Sequence, residues 1–299
     1  MQIENNNFVW RNLVNPSSQD LAPLQEKFGL SPLVIKDLLG FNKRPKIEEY
    51  ENYILLVIHF PVFNEETRQT ISTELDFIIA PNLILTVYQN PNPVLEQFFE
   101  ELQKDSSRRR YYFKSTGFLL FCILDRLIDS CLPMLDHIHE KIEMVEERIF
   151  EGKEREMLKE IAILKRDIIG FRRTIKPQRS VLEVLSKKTD RFFKEDLDII
   201  AQEVIGSEIR VWNTLENHKE MIEAIESTNN SLLSFRISRV MQVLTFFSIV
   251  LFSLTFIASF FSMKIMEIIR DPATIWGIGG LMLITALIIT AIFKKKKWL

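Results

Sequence analysis

The sequence predicts a cytoplasmic α/β domain, followed by a long stalk helix and a membrane region of two α-helical spans. Three observations predict this fold class. Segments rich in Val, Ile, Tyr and Phe lie in the first third of the chain. Beyond them, apolar side chains recur every three or four positions, as in amphipathic helices. Near the end, two runs of 21 residues each carry no charged side chain.

The first third of the chain combines strand-like and helix-like segments. Three segments rich in β-branched and aromatic residues are bounded by Pro or Asn, which is typical of strands. The predicted strands are residues 50–60, 71–80 and 83–88. Helical spacing after the capping residues Ser18, Ser31 and Asn92 predicts short helices. These helices are residues 19–28, 31–39 and 93–104, so we expect an α/β domain over residues 1–110.

Residues 111–194 form a predicted region of long helices. The apolar spacing from residue 112 to residue 150 predicts one amphipathic helix with a bend at Pro133. The predicted helices that follow are residues 154–175 and 177–188. Residues 195–239 contain no proline and only one glycine, Gly206, and lead directly into the first apolar run. We therefore expect a stalk helix over residues 195–242 that continues into the bilayer and associates with copies of itself.

The two apolar runs are predicted to be membrane spans. The first is residues 243–263 and the second is residues 273–293. Each run would extend about 31 Å as a helix, which is enough to cross the hydrocarbon core once. Two such runs separated by only nine residues, 264–272, are not expected of a soluble core. The sequence therefore predicts a two-span membrane protein.

The flanking charges predict the orientation of these spans. Arg236 and Arg239 precede the first span, and a basic tail at residues 294–299 follows the second, while Glu267 and Asp271 balance the loop between the spans. The first ten residues lack the basic and apolar pattern of a secretory signal. We therefore expect both termini in the cytoplasm, a short outer loop at residues 264–272, and a location in the cell (inner or plasma) membrane.

Composition argues against an enzyme. Nine glycines in 299 residues leave little room for glycine-rich phosphate loops, and no nucleophile elbow, Walker motif, dinucleotide fingerprint or zinc-hydrolase spacing is present. We therefore predict no catalytic residues and no resident cofactor. Cys122 and Cys131 lie nine positions apart, which favours reduced thiols rather than a disulfide framework.

A nucleic-acid partner is also disfavoured. The run Arg108 to Arg110 followed by Tyr111 and Tyr112 has the composition of single-strand binders. The first 242 residues, however, carry a net charge of −6 and no wider basic field. The favoured interpretation is that this run begins a helix or contacts a neighbouring subunit.

Several acidic and histidine side chains have metal-ligand chemistry but no decisive spacing. Asp136, His137, His139 and Glu140 could bind a transition metal, although a solvated helix face is favoured. His59 and His218 are interpreted as structural. Near the start of the stalk, carboxylates could form divalent sites between subunits or a solvated face. These carboxylates are Glu195, Asp196, Asp198, Glu203 and Glu208.

Five of the six hydroxyl residues of the first span fall on one helix face, with alternating steps of three and four. This hydroxyl stripe consists of Thr245, Ser248, Thr255, Ser259 and Ser262, with Phe252 as its one bulky apolar member. Small hydroxyl residues suit either a contact between helices or the wall of a water-filled pore. In a pore, Phe252 is a candidate hydrophobic constriction; in a helix contact it is a packing residue.

Several segments resemble the CorA family of divalent-metal channels. They are Ser-Arg-Val-Met-Gln-Val-Leu-Thr at 238–245, Leu-Thr-Phe-Ile-Ala at 254–258, the terminal Lys-Lys-Lys-Lys-Trp-Leu, Lys-Arg-Pro-Lys-Ile-Glu-Glu-Tyr at 43–50, and the segment 164–177. The resemblance covers nearly the whole chain.

The resemblance implies a funnel-shaped homopentamer in which five stalk helices continue as first spans around one central pore, with the second spans outside. It implies that Mg²⁺ or another divalent cation passes down its gradient, and that metal bound between cytoplasmic domains closes the gate. The partners are then other copies of the chain and the lipid bilayer. The implied pore face is Met241, Leu244, Ser248, Phe252, Thr255, Ser259 and Ser262.

The chain departs from the family at the outer mouth. Where the family has Tyr-Gly-Met-Asn, whose asparagines present carbonyl oxygens to a hydrated cation, this chain has Phe-Ser-Met-Lys at 261–264. The mouth residues expected here are Ser262, Met263, Lys264, Glu267 and Asp271.

A ring of lysines would repel cations, and three interpretations stay open. Lys264 pairs with Glu267 or Asp271 and divalent cations still pass. The channel instead conducts anions. Or the protein is a metal-insensitive relative that is gated by another cytoplasmic ligand. Outside the channels, the alternative is a membrane-anchored signalling oligomer without ion flux.

Overall fold

The structure of the protein is a computed structural model that describes residues 1–4, 8–42, 44–64, 69–193, 196–262 and 272–296. Contacts within the chain define two compact units, Met1–Ile225 and Glu226–Leu299. The first unit contains a mixed sheet and several helices, and the second contains the C-terminal part of a 65-residue helix and the last helix of the chain.

The strands of the described residues are β1 (Gln2–Glu4), β2 (Val9–Val14), β3 (Lys46–Glu49), β4 (Ile54–Asn64), β5 (Gln69–Ala80) and β6 (Leu83–Tyr88). The helices before the stalk are α1 (Ser18–Phe28), α2 (Pro32–Leu39), α3 (Pro93–Lys104), α4 (Ser106–Tyr112), α5 (Thr116–Asp129), α6 (Cys131–Phe150), α7 (Glu154–Ile175) and α8 (Gln178–Phe193). The stalk and second-span helices are α9 (Asp198–Ser262) and α10 (Pro272–Lys295).

The strands form one sheet in the order β1-β2-β6-β5-β4-β3. All neighbouring strands are antiparallel except β2 and β6, which are parallel. Strand β6 and the first part of β4 are buried on both faces, which explains their nearly continuous apolar sequences. One face packs on α1 and α2 through a cluster that includes Leu21, Val34, Leu55 and Ile78. Helices α5 and α7 contact the sheet as well, through β4, β5 and β6.

Three of the sequence predictions match the element bounds in full: α3, α7 and β6. The Ser31 and Asn92 caps are also confirmed, since their side chains accept hydrogen bonds from the backbone N–H groups of Leu33 and Leu95. The first helix is capped by Ser17 rather than Ser18, in a capping box with Asp20.

The prediction that Pro61 ends a strand is wrong, because β4 continues through it to Asn64. Strand β3 pairs with β4 only as far as Val57, whereas β5 follows β4 along its whole length. Pro61 therefore lies where the strand has one paired neighbour, a position that tolerates the missing N–H of proline.

The prediction of one helix over residues 112–150 with a bend at Pro133 is also wrong. Three helices, α4, α5 and α6, cover this region. A new helix begins after Tyr112 because Ser115 caps α5 by accepting from the N–H of Phe118. Helix α6 begins at Cys131, so Pro133 lies in its first turn, where a backbone N–H has no partner within the helix.

The sequence prediction did not include strands β1, β2 and β3. Strand β2 contains Arg11 and Asn12, which weaken its apolar pattern, yet Asn12 is buried. Its amide donates to the Tyr88 hydroxyl at 2.8 Å, and its Oδ1 accepts from Thr86 at 2.6 Å. Hydrogen bonds to β6 therefore place a polar residue in a central strand.

The two thiols are free, as the sequence predicts, with Cys131 buried and Cys122 partly buried. Burial raises the pKa of each thiol to about 12. Both side chains are therefore neutral thiols at physiological pH.

A buried carboxyl, Asp76, lies on the sheet face that packs on α2 and is only 4% exposed. Burial, followed by the neighbouring charge of Glu74, raises the pKa of Asp76 to about 9. Glu74 accepts two hydrogen bonds from Asn42, from its backbone N–H at 2.8 Å and from Nδ2 at 2.6 Å. Asp76 is therefore a neutral acid at pH 7, next to a carboxyl that already accepts two bonds.

We expect Asp76→Asn to remove a pH-dependent loss of stability. The pKa of Asp76 in the folded state exceeds its value in the unfolded state. Between about pH 4 and pH 9 the folded state therefore binds one proton more than the unfolded state, and the free energy of unfolding falls as pH rises through this window. The slope for one such group approaches about 1.4 kcal/mol per pH unit. Thermal unfolding of the full chain in detergent is measured at pH 6, 7, 8 and 9. The melting temperature of the variant should increase relative to that of the wild type as pH rises.

The control for this measurement is Glu100→Gln, which removes an exposed carboxyl that pairs with Lys104 at 2.8 Å. Its melting curve should follow that of the wild type through the same pH range. A constant difference between Asp76→Asn and the wild type at all four pH values would contradict the neutral-acid assignment.

Candidate ion pathway

The first apolar run is the C-terminal part of α9, a single helix of 65 residues. At 1.5 Å per residue it extends for about 98 Å. Helix α9 and the segment Trp276–Lys295 are both long and apolar enough to cross a membrane. The prediction that the stalk continues into the first span without a break therefore agrees with the structure.

Every residue of the implied pore face is exposed in the second unit. Phe252, in the middle of this face, is the most exposed of its large apolar members at 75%. The full set is Met241, Leu244, Ser248, Phe252, Thr255, Ser259 and Ser262. At about 100° per residue these positions lie on one side of α9.

The opposite side of α9 is partly covered. The less exposed positions recur every three or four residues: Gln242, Phe246, Val250, Ser253, Leu254, Ile257 and Phe261. Helix α10 has a matching series: Ile278, Met282, Thr285, Ala286, Ile289 and Phe293. The rings of Phe246 and Phe293 lie 5.3 Å apart between centroids, which identifies these as the facing sides. The hydroxyl stripe is thus not the side of α9 that packs on α10.

The hydroxyl groups of the stripe bond to their own helix. Thr245 donates to the carbonyl of Met241 at 2.7 Å, and Ser248 donates to that of Leu244 at 2.9 Å. Thr255 makes the same bond to the carbonyl four residues earlier at 2.8 Å. Because each hydroxyl has one hydrogen and two lone pairs, these three oxygens remain acceptors on the exposed side of the helix.

The predicted outer mouth falls mainly outside the described residues. Of its members, Ser262 is the last residue of α9. Met263, Lys264, Glu267 and Asp271 lie outside the part of the chain that the structure describes.

The metal site considered on α6 does not assemble. His137 lies 3.7 Å from Glu140, and His139 lies 3.5 Å from Glu143, as side-chain pairs within one helix. Among the described residues, no group of three or more His, Cys, Asp or Glu side chains could hold a metal ion.

The basic run Arg108 to Arg110 belongs to a helix, as the favoured interpretation stated. Asp105 caps α4 by accepting from the N–H groups of Ser107 and Arg108. The Arg108 guanidinium contacts Glu101 at 3.1 Å. Arg108 therefore forms bonds within its own unit.

Two of the carboxylates near the start of the stalk lie in a cleft with two carboxyls of α5. Asp196 and Glu203 line a cleft of about 1000 Å³ together with Asp125 and Asp129 of α5. Burial, then the charges of Asp129 and Glu203, raise the pKa of Asp125. Sequence analysis missed the two α5 carboxyls, although their spacing of four places them on one helix face.

The remaining members differ in position. Glu208 is buried, and that burial raises its pKa to about 7. Asp198 is the first residue of α9, and Glu195 lies outside the described residues.

Comparisons with known proteins bear on this arrangement. The profile of a family described as CorA-like Mg²⁺ transporter protein matches residues 5–295. The cobalt/magnesium transport protein CorA of Thermotoga maritima is 28% identical over 295 residues, covering 97% of this chain and 83% of that protein. The CorA of Methanocaldococcus jannaschii is 22% identical, covering 100% and 94%. The complete structure of a CorA magnesium transporter from M. jannaschii superposes with a TM-score of 0.87 at 20% identity, covering 100% of this chain and 94% of that one.

We predict that water reaches Ser248 but not Ser253. Both serines donate to the carbonyl four residues earlier, but Ser248 is on the exposed side of α9 and Ser253 on the side facing α10. Single Ser248→Cys and Ser253→Cys variants are compared in a Cys122→Ser, Cys131→Ala background in proteoliposomes. A charged methanethiosulfonate reagent should modify position 248 at least about tenfold faster, since thiolate formation requires water. Equal modification rates at the two positions would show that the side of α9 with Ser248 is not more accessible to water than the side with Ser253.

Proposed function

This chain belongs to the CorA-like Mg²⁺ transporter family, and from that premise we propose that it carries Mg²⁺ through a pore lined by α9. It is a membrane transporter of divalent metal ions, not an enzyme, in agreement with the sequence prediction. The family and its relatives favour this function over the signalling-oligomer and anion-channel alternatives.

The observation that carries the pore proposal is the two-sided character of α9. In the second unit, one side faces α10, and the other presents a row of hydroxyl oxygens. In lipid, a row of exposed oxygens has no partner, whereas around a water-filled pore each oxygen accepts a hydrogen bond. The hydroxyl stripe therefore faces the pore, and α10 lies outside it.

A pore requires several copies of α9, because one helix encloses no space. Five copies are the number that the family resemblance implies. Their Met241 and Leu244 side chains would form apolar rings before the hydroxyl rings of the stripe, and Phe252 would form one between the rings of Ser248 and Thr255. Phe252 is then the narrow hydrophobic ring that stops conduction when it loses water.

The chemistry of this face suits a hydrated cation. Mg²⁺ releases its water reluctantly, so its water hydrogens need acceptors along the path. Thr245, Ser248 and Thr255 supply acceptors, because their own hydrogens are donated to the backbone. An anion would need donors instead, and these hydroxyls have none to spare.

Positive charges at the start of the first span and at the end of the second support a cytoplasmic location of both termini. Arg236 and Arg239 lie before the apolar part of α9, and Lys294, Lys295 and Lys296 lie at the end of α10. Under the positive-inside rule, both ends lie in the cytoplasm and the segment between the spans lies outside. The membrane is then the cell membrane.

Mg²⁺ entry into proteoliposomes tests the function directly. The full chain is reconstituted with a magnesium-sensitive dye inside and an inside-negative potential. Dye response in the wild type supports transport, and chloride flux without Mg²⁺ entry would favour the anion alternative. Absence of both fluxes in folded oligomers would overturn the proposal.

We expect Lys264→Asn to increase Mg²⁺ entry by about tenfold, because a positive charge near the path repels a divalent cation. The measurement is the initial rate of the dye response at fixed potential. Lys264→Arg is the matched control, since it keeps the charge and should leave the rate near that of the wild type. Equal rates for all three proteins would show that the charge at residue 264 is not a barrier.

We expect Phe252→Ala to increase the basal Mg²⁺ rate by about threefold, because a smaller side chain admits water to the constriction. Phe260→Ala is the control, since Phe260 is an exposed phenylalanine of α9 that lies off the pore face. Its rate should stay near that of the wild type. A similar increase in both variants would indicate general loosening of the helices.

A further inference from the structure

Two histidines meet where α6 packs on α9 in the first unit. The ring of His139 on α6 and that of His218 on α9 lie 5.5 Å apart between centroids, with planes only 14° from parallel. His218 is 4% exposed, whereas His139 is partly exposed. We call these two residues the histidine pair.

The histidine pair lacks the hydrogen bonds that would hold a protonated imidazole. Nδ1 of His139 and Nδ1 of His218 are both buried and have no hydrogen-bond partner among the described residues. Two protonated rings at this distance would carry like charges across a helix contact. The neutral form of the pair is therefore the one that fits the packed helices.

The surrounding charges do not reverse this preference. Burial, then the charge of His139, lower the pKa of His218, while Asp136 of α6 acts in the opposite direction. His139 Nε2 lies 3.5 Å from Glu143, also on α6.

The neighbouring elements hold their charges in pairs of their own. On α9, Lys219 pairs with Glu223 at 3.6 Å. From α7, Arg172 binds Glu216 of α9 and stacks over Trp212. Besides these ion pairs, the histidine pair joins α6 to α9, and the pKa of its buried member, His218, responds to the contact.

We propose that the histidine pair is a proton-sensitive contact that holds α9 against α6 at neutral pH and weakens when the cytoplasm becomes acidic. Because α9 continues from this contact to the pore face, the contact also makes transport respond to internal pH, and that consequence rests on the proposed function. A shared metal ion is not the better interpretation, since the described residues offer no third ligand.

The direction of the pH effect follows from linkage. The folded pKa of His218 lies below its ordinary value of 6.5, so the packed state loses stability as pH falls below about 6.5. At pH 5.5 the packed state is disfavoured by up to about tenfold relative to pH 7.5.

Hydrogen–deuterium exchange of the full chain in detergent measures this contact. Protection factors, corrected for the intrinsic effect of pH, are compared at pH 7.5 and pH 5.5 for peptides covering residues 134–145 and 211–223. In the wild type we expect protection of both segments to fall by up to about tenfold at pH 5.5. His218→Phe keeps a flat ring but cannot be protonated, so its protection should be independent of pH.

Two further variants make the test specific. His137→Gln removes an exposed histidine of the same helix and should behave as the wild type. His139→Glu places a carboxylate opposite His218, so acidification should now increase protection rather than decrease it. Equal loss of protection at pH 5.5 in the wild type and in His218→Phe, or no loss in either, would overturn the proposal.

Mg²⁺ entry measured at internal pH 7.5 and 5.5 separates this proposal from the proposed function. If the wild type transports Mg²⁺ at pH 7.5, and neither its protection factors nor its flux change at pH 5.5, the proposed proton-sensitive contact is wrong. The proposed function is then still supported. A loss of protection confined to proteins that keep both histidines supports the contact, even where no Mg²⁺ flux is measured at either pH. A flux that responds to pH in the wild type but not in His218→Phe supports the link to transport.

Discussion

The structure depends on the backbone hydrogen bonds of one helix, α9. Within a bilayer, peptide groups have no water to bond with, so a single segment can cross only as a helix whose bonds are internal. Helix α9 satisfies this requirement from Asp198 to Ser262 without a proline. The same helix has buried apolar residues, such as Val211 and Leu215, in the first unit and exposed apolar residues in the second. One continuous hydrogen-bonded rod therefore has two different surroundings along its length.

The same constraint explains how polar residues can lie in the span. A hydroxyl on a membrane helix is costly unless its hydrogen is bonded, and Ser248 and Thr255 donate to carbonyls of α9 itself. These bonds need no second helix, so the hydroxyls are free to face away from α10. Contact with α10 is instead made by larger groups, such as Phe246 against Phe293. One side of α9 thus carries hydroxyls that are bonded to its own backbone, and the other side carries apolar groups that pack on α10.

Local sequence signals predicted the parts of the fold that local physics determines. The apolar runs, the stalk and helices α3 and α7 follow from periodicity and caps, which act within a few residues. Strand β2 was missed because the partners of the Asn12 side chain, Tyr88 and Thr86, are 76 and 74 positions away. Pro61 was misjudged because the free side of β4 depends on the length of β3. The histidine pair could not be predicted, since His139 and His218 meet only through the packing of α6 on α9. The implied pore residues, in contrast, lie on one helix, so their alignment along one side of α9 follows from spacing alone.

The electrostatics of Lys264 limit how the chain can transport a divalent cation. A membrane potential of 100 mV, negative inside, lowers the energy of an entering divalent ion by about 4.6 kcal/mol over the whole membrane. A lysine about 8 Å from the path, as proposed for Lys264, would raise it locally by about 4 kcal/mol at an effective dielectric constant of 20. Such a charge therefore adds a local barrier nearly as large as the energy of the whole potential drop, without changing the driving force between the two sides of the membrane. Because Coulomb repulsion acts on the total charge, the water that Mg²⁺ retains does not remove this barrier. In the proposed Mg²⁺ transport, nearby carboxylates, for which Glu267 and Asp271 are the candidates in the sequence, offset the charge of Lys264.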